Sequence, residues 1–158
     1  MIDSQKRGYF PRFFVLVCFS LVLFLLDTRE ALYIYNEQSC LVGSIVLEEK
    51  YFIHTYIHSI NKSQVIEKIL VQHDGFVITE SMFKDYSTGI DSTDAQGFKQ
   101  EGEWFILTLN RETPTLSFAV SPIPGHALII KKQRYPLIYF SKSNTILVIT
   151  NNFSLHIQ

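Results

Sequence analysis

Tyr51-Phe-Ile-His-Thr-Tyr-Ile-His-Ser-Ile-Asn-Lys-Ser-Gln-Val-Ile-Glu67 is the stretch whose reading decides the fold. Its first part alternates from side to side, breaks at Asn61-Lys62-Ser63 and then resumes, which predicts two strands joined as a hairpin. Successive side chains on a strand point to opposite faces, so His54, Tyr56 and His58 are expected on one face. A turn centred on Lys62-Ser63 sets Asn61 opposite Gln64, His58 opposite Glu67 and Tyr56 opposite Ile69. Directly opposed residues have Cβ atoms about 4.5–5.5 Å apart, so His58 is expected to touch Glu67.

Outward from the hairpin the same reading continues. Leu41 to Glu49 and Lys50 to Ile60 read as strands around a turn at Glu48-Glu49-Lys50, and Gln64 to His73 is the return strand. His73-Asp74-Gly75 is a hairpin turn signal, because an Asp-Gly pair tolerates positive φ. Phe76 to Lys84 follows as a strand. Asp85 to Gly102 is polar with three glycines and reads as a long loop, a type of segment that often carries function. Trp104 to Asn110, Leu116 to Val120, His126 to Lys132, Tyr135 to Ser141 and Thr145 to Thr150 complete the strands, with Phe153 to Ile157 as an added edge. Ser121-Pro122-Ile123-Pro124-Gly125 is a rigid connection that no helix traverses. Short strands at regular spacing with turn signals between them predict an all-β domain, an antiparallel β-sandwich or small barrel.

Composition agrees with one packed domain. The chain has 158 residues, 47% of them apolar, and a formal charge of −1. That balance lacks the basic footprint of phosphate-backbone binding, so nucleic acid is not an expected partner. The abundant Phe and Tyr favour strands. The two cysteines, Cys18 and Cys40, build no disulfide framework, and Cys40 is expected as a free thiol filling a small apolar site.

Lys6, Arg7 and Arg12 precede the apolar run Phe13 to Leu26, and Asp27, Arg29 and Glu30 follow it. Basic residues stay on the cytoplasmic side, so the remainder of the chain is expected outside the cytoplasmic membrane. At about 1.5 Å per residue the run covers about 21 Å, less than the roughly 30 Å of a hydrocarbon core. No pair of small residues follows Leu26 to mark a cleavage site, so an uncleaved signal-anchor helix is the favoured reading. The expected division is an anchor or signal segment at 1–30, a spacer at 31–39 and an extracytoplasmic β domain at 40–158.

Metal chemistry is tested by distance. His54 and His58 are four apart, a spacing that places two ligands on one face of a helix. On a strand it spans about 13 Å, too far for two ligands each about 2 Å from one ion. A site would need other groups, such as Glu67 and His126, to converge on one histidine, and nothing in the sequence fixes that convergence. No metal and no cofactor are expected. Nucleophile-elbow, phosphate-loop and Cys-x-x-Cys patterns are absent. A serine hydrolase built on Ser59 and His58 is disfavoured, because neighbours on a strand face opposite ways unless β geometry is lost at Ser59.

The string from Phe52 through Tyr56-Ile57-His58-Ser59-Ile60 to Glu67, then Thr79-Glu80, Phe83 and Gly89, resembles a small bacterial family called domain of unknown function 1850. Its members carry an aromatic residue, one variable position, His-Ser-Val, a downstream Glu and a later Phe with a glycine-rich turn. Here Tyr56 stands where Trp is usual, and Ser87-Thr88-Gly89 keeps only the last glycine of that turn. The similarity covers roughly Val46 to Asn151. The resemblance implies a short anchored extracytoplasmic protein encoded beside TRAP transporters of the TAXI type, which take up organic solutes such as dicarboxylates. It makes Tyr56, His58, Ser59, Glu67 and Gly89 the positions to watch.

The expectation that follows is a non-enzymatic accessory protein, held in the cell membrane, that contacts the membrane or solute-binding component of such a transporter. The alternative is a small-ligand domain for organic acids, with His58, Ser59 and Glu67 lining a pocket closed by the Asp85 to Gly102 loop.

Overall fold

A computed structural model describes residues 30–85 and 93–152. The expected anchor helix, Gly89 and the Phe153–Ile157 edge strand lie outside the described residues. Among the described residues no helix is long and apolar enough to cross a membrane.

The described chain forms β1 (Ala31–Tyr35), β2 (Leu41–Val46), β3 (Tyr51–Ile57), β4 (Gln64–Gln72), β5 (Gly75–Phe83) and β6 (Gly97–Glu101). It continues through β7 (Trp104–Thr113), β8 (Leu116–Ala119), β9 (Ala127–Ile130), β10 (Gln133–Pro136), a 3-10 turn at Leu137–Tyr139 and β11 (Ile146–Thr150). These pair into a four-stranded sheet, β2-β1-β11-β8, and a seven-stranded sheet, β10-β9-β3-β4-β5-β7-β6. Every pairing is antiparallel. Two separate sheets packed on one core make a β-sandwich rather than a closed barrel.

The core follows from period-two alternation in both sheets. Leu32 and Ile34 of β1 and Leu147 and Ile149 of β11 are fully buried against Phe52, Ile69 and Leu128 of the larger sheet. Burying each such side chain contributes about 1.5–3 kcal/mol. A second cluster, Val65, Phe83, Leu107 and Leu109, fills the far end of the larger sheet.

Several expectations are corrected. Ala31–Tyr35, expected as part of a spacer, is a strand of the domain: it pairs with both β2 and β11, and its Leu32 and Ile34 belong to the core. A short apolar run bounded by Asn36 reads as a tether in isolation, but its partners arrive from elsewhere in the chain. Gly97–Glu101, expected inside the long loop, pairs with Trp104–Thr108 as an edge strand. Lys99, Gln100 and Glu101 of this strand are exposed, and so is Phe98. Tyr135 to Ser141 is strand only to Pro136 and then turns as 3-10. Cys40 is a free thiol as expected, but it is exposed instead of filling an apolar site.

The central hairpin forms with a different register. His58 N–H donates to the Ser63 carbonyl at 2.8 Å and Lys62 N–H to the His58 carbonyl at 3.0 Å, enclosing Ser59 to Lys62 as the loop. Asn61 belongs to the turn itself, its Oδ1 accepting from Ser63 N–H at 3.1 Å and from Ser63 Oγ–H at 2.8 Å. Asparagine favours such local bonds over a ladder position. The consequence is that Glu67 pairs with His54 and Tyr56 with Val65, in place of His58 with Glu67 and Tyr56 with Ile69. The slip is an even number of residues, so every side chain keeps its face.

Candidate functional site

A polar row crosses the inner face of the larger sheet between the two apolar clusters. In register order it reads Leu128, His54, Glu67, Ser81, Leu107. Ser81 reaches this face because the pairing of β5 shifts at Thr79, so that Ile78 pairs with Ile69 while Ser81 pairs with Glu67. One extra residue on one strand of a pair is a bulge, and it resets which residues face inward. His54 is 3% exposed and Ser81 is 5% exposed, so both are committed to the interior.

Buried polar groups need partners, and His54 has two. Its Nδ1 lies 2.9 Å from Glu67 Oε2, and its Nε2 lies 3.0 Å from His126 Nε2. His126 comes from the residue just before β9, at the end of the proline-flanked connection. There the Ser121 backbone N–H donates to His126 Nδ1 at 3.0 Å, and the Ile123 N–H donates to Ser121 Oγ at 3.1 Å. The two bonds lock the connection that delivers the ring.

An amide N–H can only donate, so His126 Nδ1 is an acceptor and its proton sits on Nε2. That proton is donated to His54 Nε2, which leaves His54 with its proton on Nδ1, donated to Glu67. Every proton between Ser121 and Glu67 is thereby assigned. A second proton on either ring would meet a donor already in place, so the charge of the group resides on Glu67. Burial and then the neighbouring His54 push the His126 imidazole down to about 4, in agreement with a neutral ring. The same assignment bears on metal chemistry. A neutral histidine that ligates through Nε2 carries its proton on Nδ1, and His126 does not. Among the described residues no group of three or more His, Cys, Asp or Glu is placed to hold a metal ion.

Around this chain of bonds lies an aromatic wall. The His54 ring is 5.1 Å from Tyr56, centroid to centroid, and 4.0 Å from Phe118 of β8, which ties the site to the smaller sheet. Tyr56 also sets its edge toward His126 at 6.2 Å. Burial and then the negative charge of Glu67 push the Tyr56 phenol up to about 12, so it stays protonated.

These groups open into a cavity of about 470 Å³. Tyr56, His58, Ser59 and Glu67 all line it, so four of the five positions singled out from the sequence meet at one place. The fifth, Gly89, is outside the described residues. His58 lies at the cavity but does not contact Glu67; its backbone closes the turn. β3 ends at Ile57, so strand alternation no longer separates His58 from Ser59 and both reach the same space.

Sequence reasoning assigned the carboxylate contact to the wrong histidine and passed over Phe118 and Ser121. The convergence of Glu67 and His126 on one histidine does occur, on His54. Its only sequence signal is a histidine closing a rigid Ser-Pro-x-Pro-Gly connection.

Fold and site together define an all-β module: an antiparallel sandwich with a polar cavity let into the edge where β8 meets the β3–β4 hairpin. The chain belongs to the DUF1850 family, a domain of unknown function, whose model matches residues 52–137, more than half of the chain. That span contains Tyr56, His58, Ser59, Glu67, Ser121 and His126. No curated protein matches the chain, and no solved structure does.

Proposed function

We propose that this protein is a non-enzymatic binding module that holds a small ligand in the cavity beside Glu67, and that its N-terminal segment tethers it outside the cytoplasmic membrane as an accessory to a TRAP transporter of the TAXI type. The observation that carries the ligand reading is the cavity itself. Its volume of about 470 Å³ is of the size that takes a small organic molecule, and it combines aromatic walls with a few convergent polar groups. A binding role suits the hydrogen bonding: both ring nitrogens of His54 and of His126 are engaged within the chain, which makes them supports for a surface more than acid-base catalysts. The tether is supported by the basic flank and apolar run of residues 6–26, and the transporter by family resemblance.

Thermal unfolding of the full chain in detergent, screened against a library of small metabolites, tests the ligand reading. A ligand at 100 times its dissociation constant adds about 2.7 kcal/mol of stability. A library with no stabilising compound counts against it. Deleting the gene and measuring uptake through the adjacent transporter tests the accessory role, which fails if uptake is unchanged.

A further inference from the structure

The charge of the cavity narrows its occupant. Among the described residues its lining contains Glu67 and no lysine or arginine. Lys62 in the hairpin turn donates to the Ser59 carbonyl, and Arg134 donates to the Gly125 carbonyl at 2.8 Å; neither lines the cavity. Two of the three histidines in the lining, His54 and His126, do not offset the carboxylate, since the Ser121 amide fixes both rings in their neutral form, while His58 lies outside that chain of bonds.

Among the described residues one oxygen of Glu67 is used. Oε2 accepts from His54, while Oε1 has no partner among the described residues. The side chain is 17% exposed and lines the cavity, so this oxygen is available to an occupant. Tyr56 and Phe118 pack against His54, the ring that holds Glu67 Oε2, and line the same cavity, and aromatic rings attract cations through their quadrupole. An anionic carboxylate would meet the Glu67 charge with no lysine or arginine among the described lining residues to balance it, at a position partly shielded from water where like charges repel strongly.

We infer that the cavity takes a small organic cation, a protonated amine or quaternary ammonium, with its charge against Glu67 Oε1 and its carbon groups against the rings of Tyr56 and Phe118. This rests on the ligand-binding reading and sharpens it from any small solute to one charge class. An organic acid is thereby the disfavoured occupant at neutral pH.

The test uses the full chain in detergent, titrated by calorimetry with choline, cadaverine, glycerol and succinate. Binding of choline or cadaverine, with succinate at least tenfold weaker, is the expected result. Binding of succinate or glycerol in preference to both amines overturns the inference while leaving the ligand-binding reading in place. Failure of all four to bind counts against both.

Glu67→Gln keeps an oxygen for the His54 bond and removes the charge, so amine binding should fall at least tenfold. Glu103→Gln, at an exposed ion pair with Lys84, should leave it unchanged. Amine binding that survives Glu67→Gln overturns the inference, and the comparison among unmodified-protein titrations stands even if that variant does not fold.

Discussion

The Nε2 atoms of His54 and His126 lie 3.0 Å apart, and the Ser121 amide on the far side of the His126 ring decides which of them carries the proton. His126 is the donor and His54 the acceptor, so His126 is the Nε2–H tautomer and His54 the Nδ1–H tautomer. Nitrogen-15 NMR of the imidazoles at neutral pH should report that pair of tautomers. A protonated Nδ1 on His126 would contradict the assignment and reopen Nε2 as a metal ligand.

His54 is the member whose loss costs most. His54→Ala removes a ring that is 3% exposed and leaves both Glu67 and His126 short of a partner. The cavity and the unsatisfied groups together should lower stability by about 2–4 kcal/mol in urea unfolding. His58→Ala removes a half-buried ring outside the network and should stay within about 0.5 kcal/mol. Equal losses from the two variants would mean that the network does not hold the site together.

Acid should weaken the fold through His126. Its folded pKa is lowered from 6.5 to about 4, so as pH falls through that window the unfolded chain takes up a proton that the folded chain refuses. Stability is therefore full above about pH 6.5, declines toward pH 4 and is no longer lost through this group below that. Each tenfold difference in proton affinity between the folded and unfolded chain corresponds to about 1.4 kcal/mol, and solvent reaching the cavity reduces the total for this shift to the order of 1–2 kcal/mol. Unfolding free energies measured across pH for the native chain and for His126→Gln should diverge in this window. Parallel curves would remove His126 as the cause.

Gly75 and Gly102 both have positive φ but different surroundings. At Gly75 φ is +144°, and an added Cβ would lie 2.4 Å from the Thr113 carbonyl oxygen. Gly75→Ala should cost about 3 kcal/mol, since the β4–β5 hairpin must shift against β7. At Gly102 φ is +59° and nothing lies within 4 Å of an added Cβ, so Gly102→Asn should be tolerated within about 0.5 kcal/mol. Thermal unfolding of the two variants distinguishes a close backbone approach from a simple turn requirement.

How far the molecule was legible in its sequence depends on the range of the forces involved. Alternation in Tyr51 to Ile57 and Gln64 to Gln72 is local, so the two strands and the shared face of His54 and Tyr56 can be read directly, whereas His58 lies past the end of its strand. The register cannot, because it turns on whether Asn61 bonds within the loop or pairs across it. β1 was missed for a related reason: five residues with an alternating pattern have no meaning until β2 and β11 flank them.

By itself, then, the sequence determined an all-β antiparallel domain, a hairpin at its centre, and the face that His54, Tyr56 and Glu67 share. Period two sets sidedness, and sidedness survives an even slip in register. Only the tertiary structure decided which histidine Glu67 would hold. His54 receives Glu67 from the neighbouring strand and His126 from 72 residues away, and the closing of a loop that long is governed by packing of the whole sandwich.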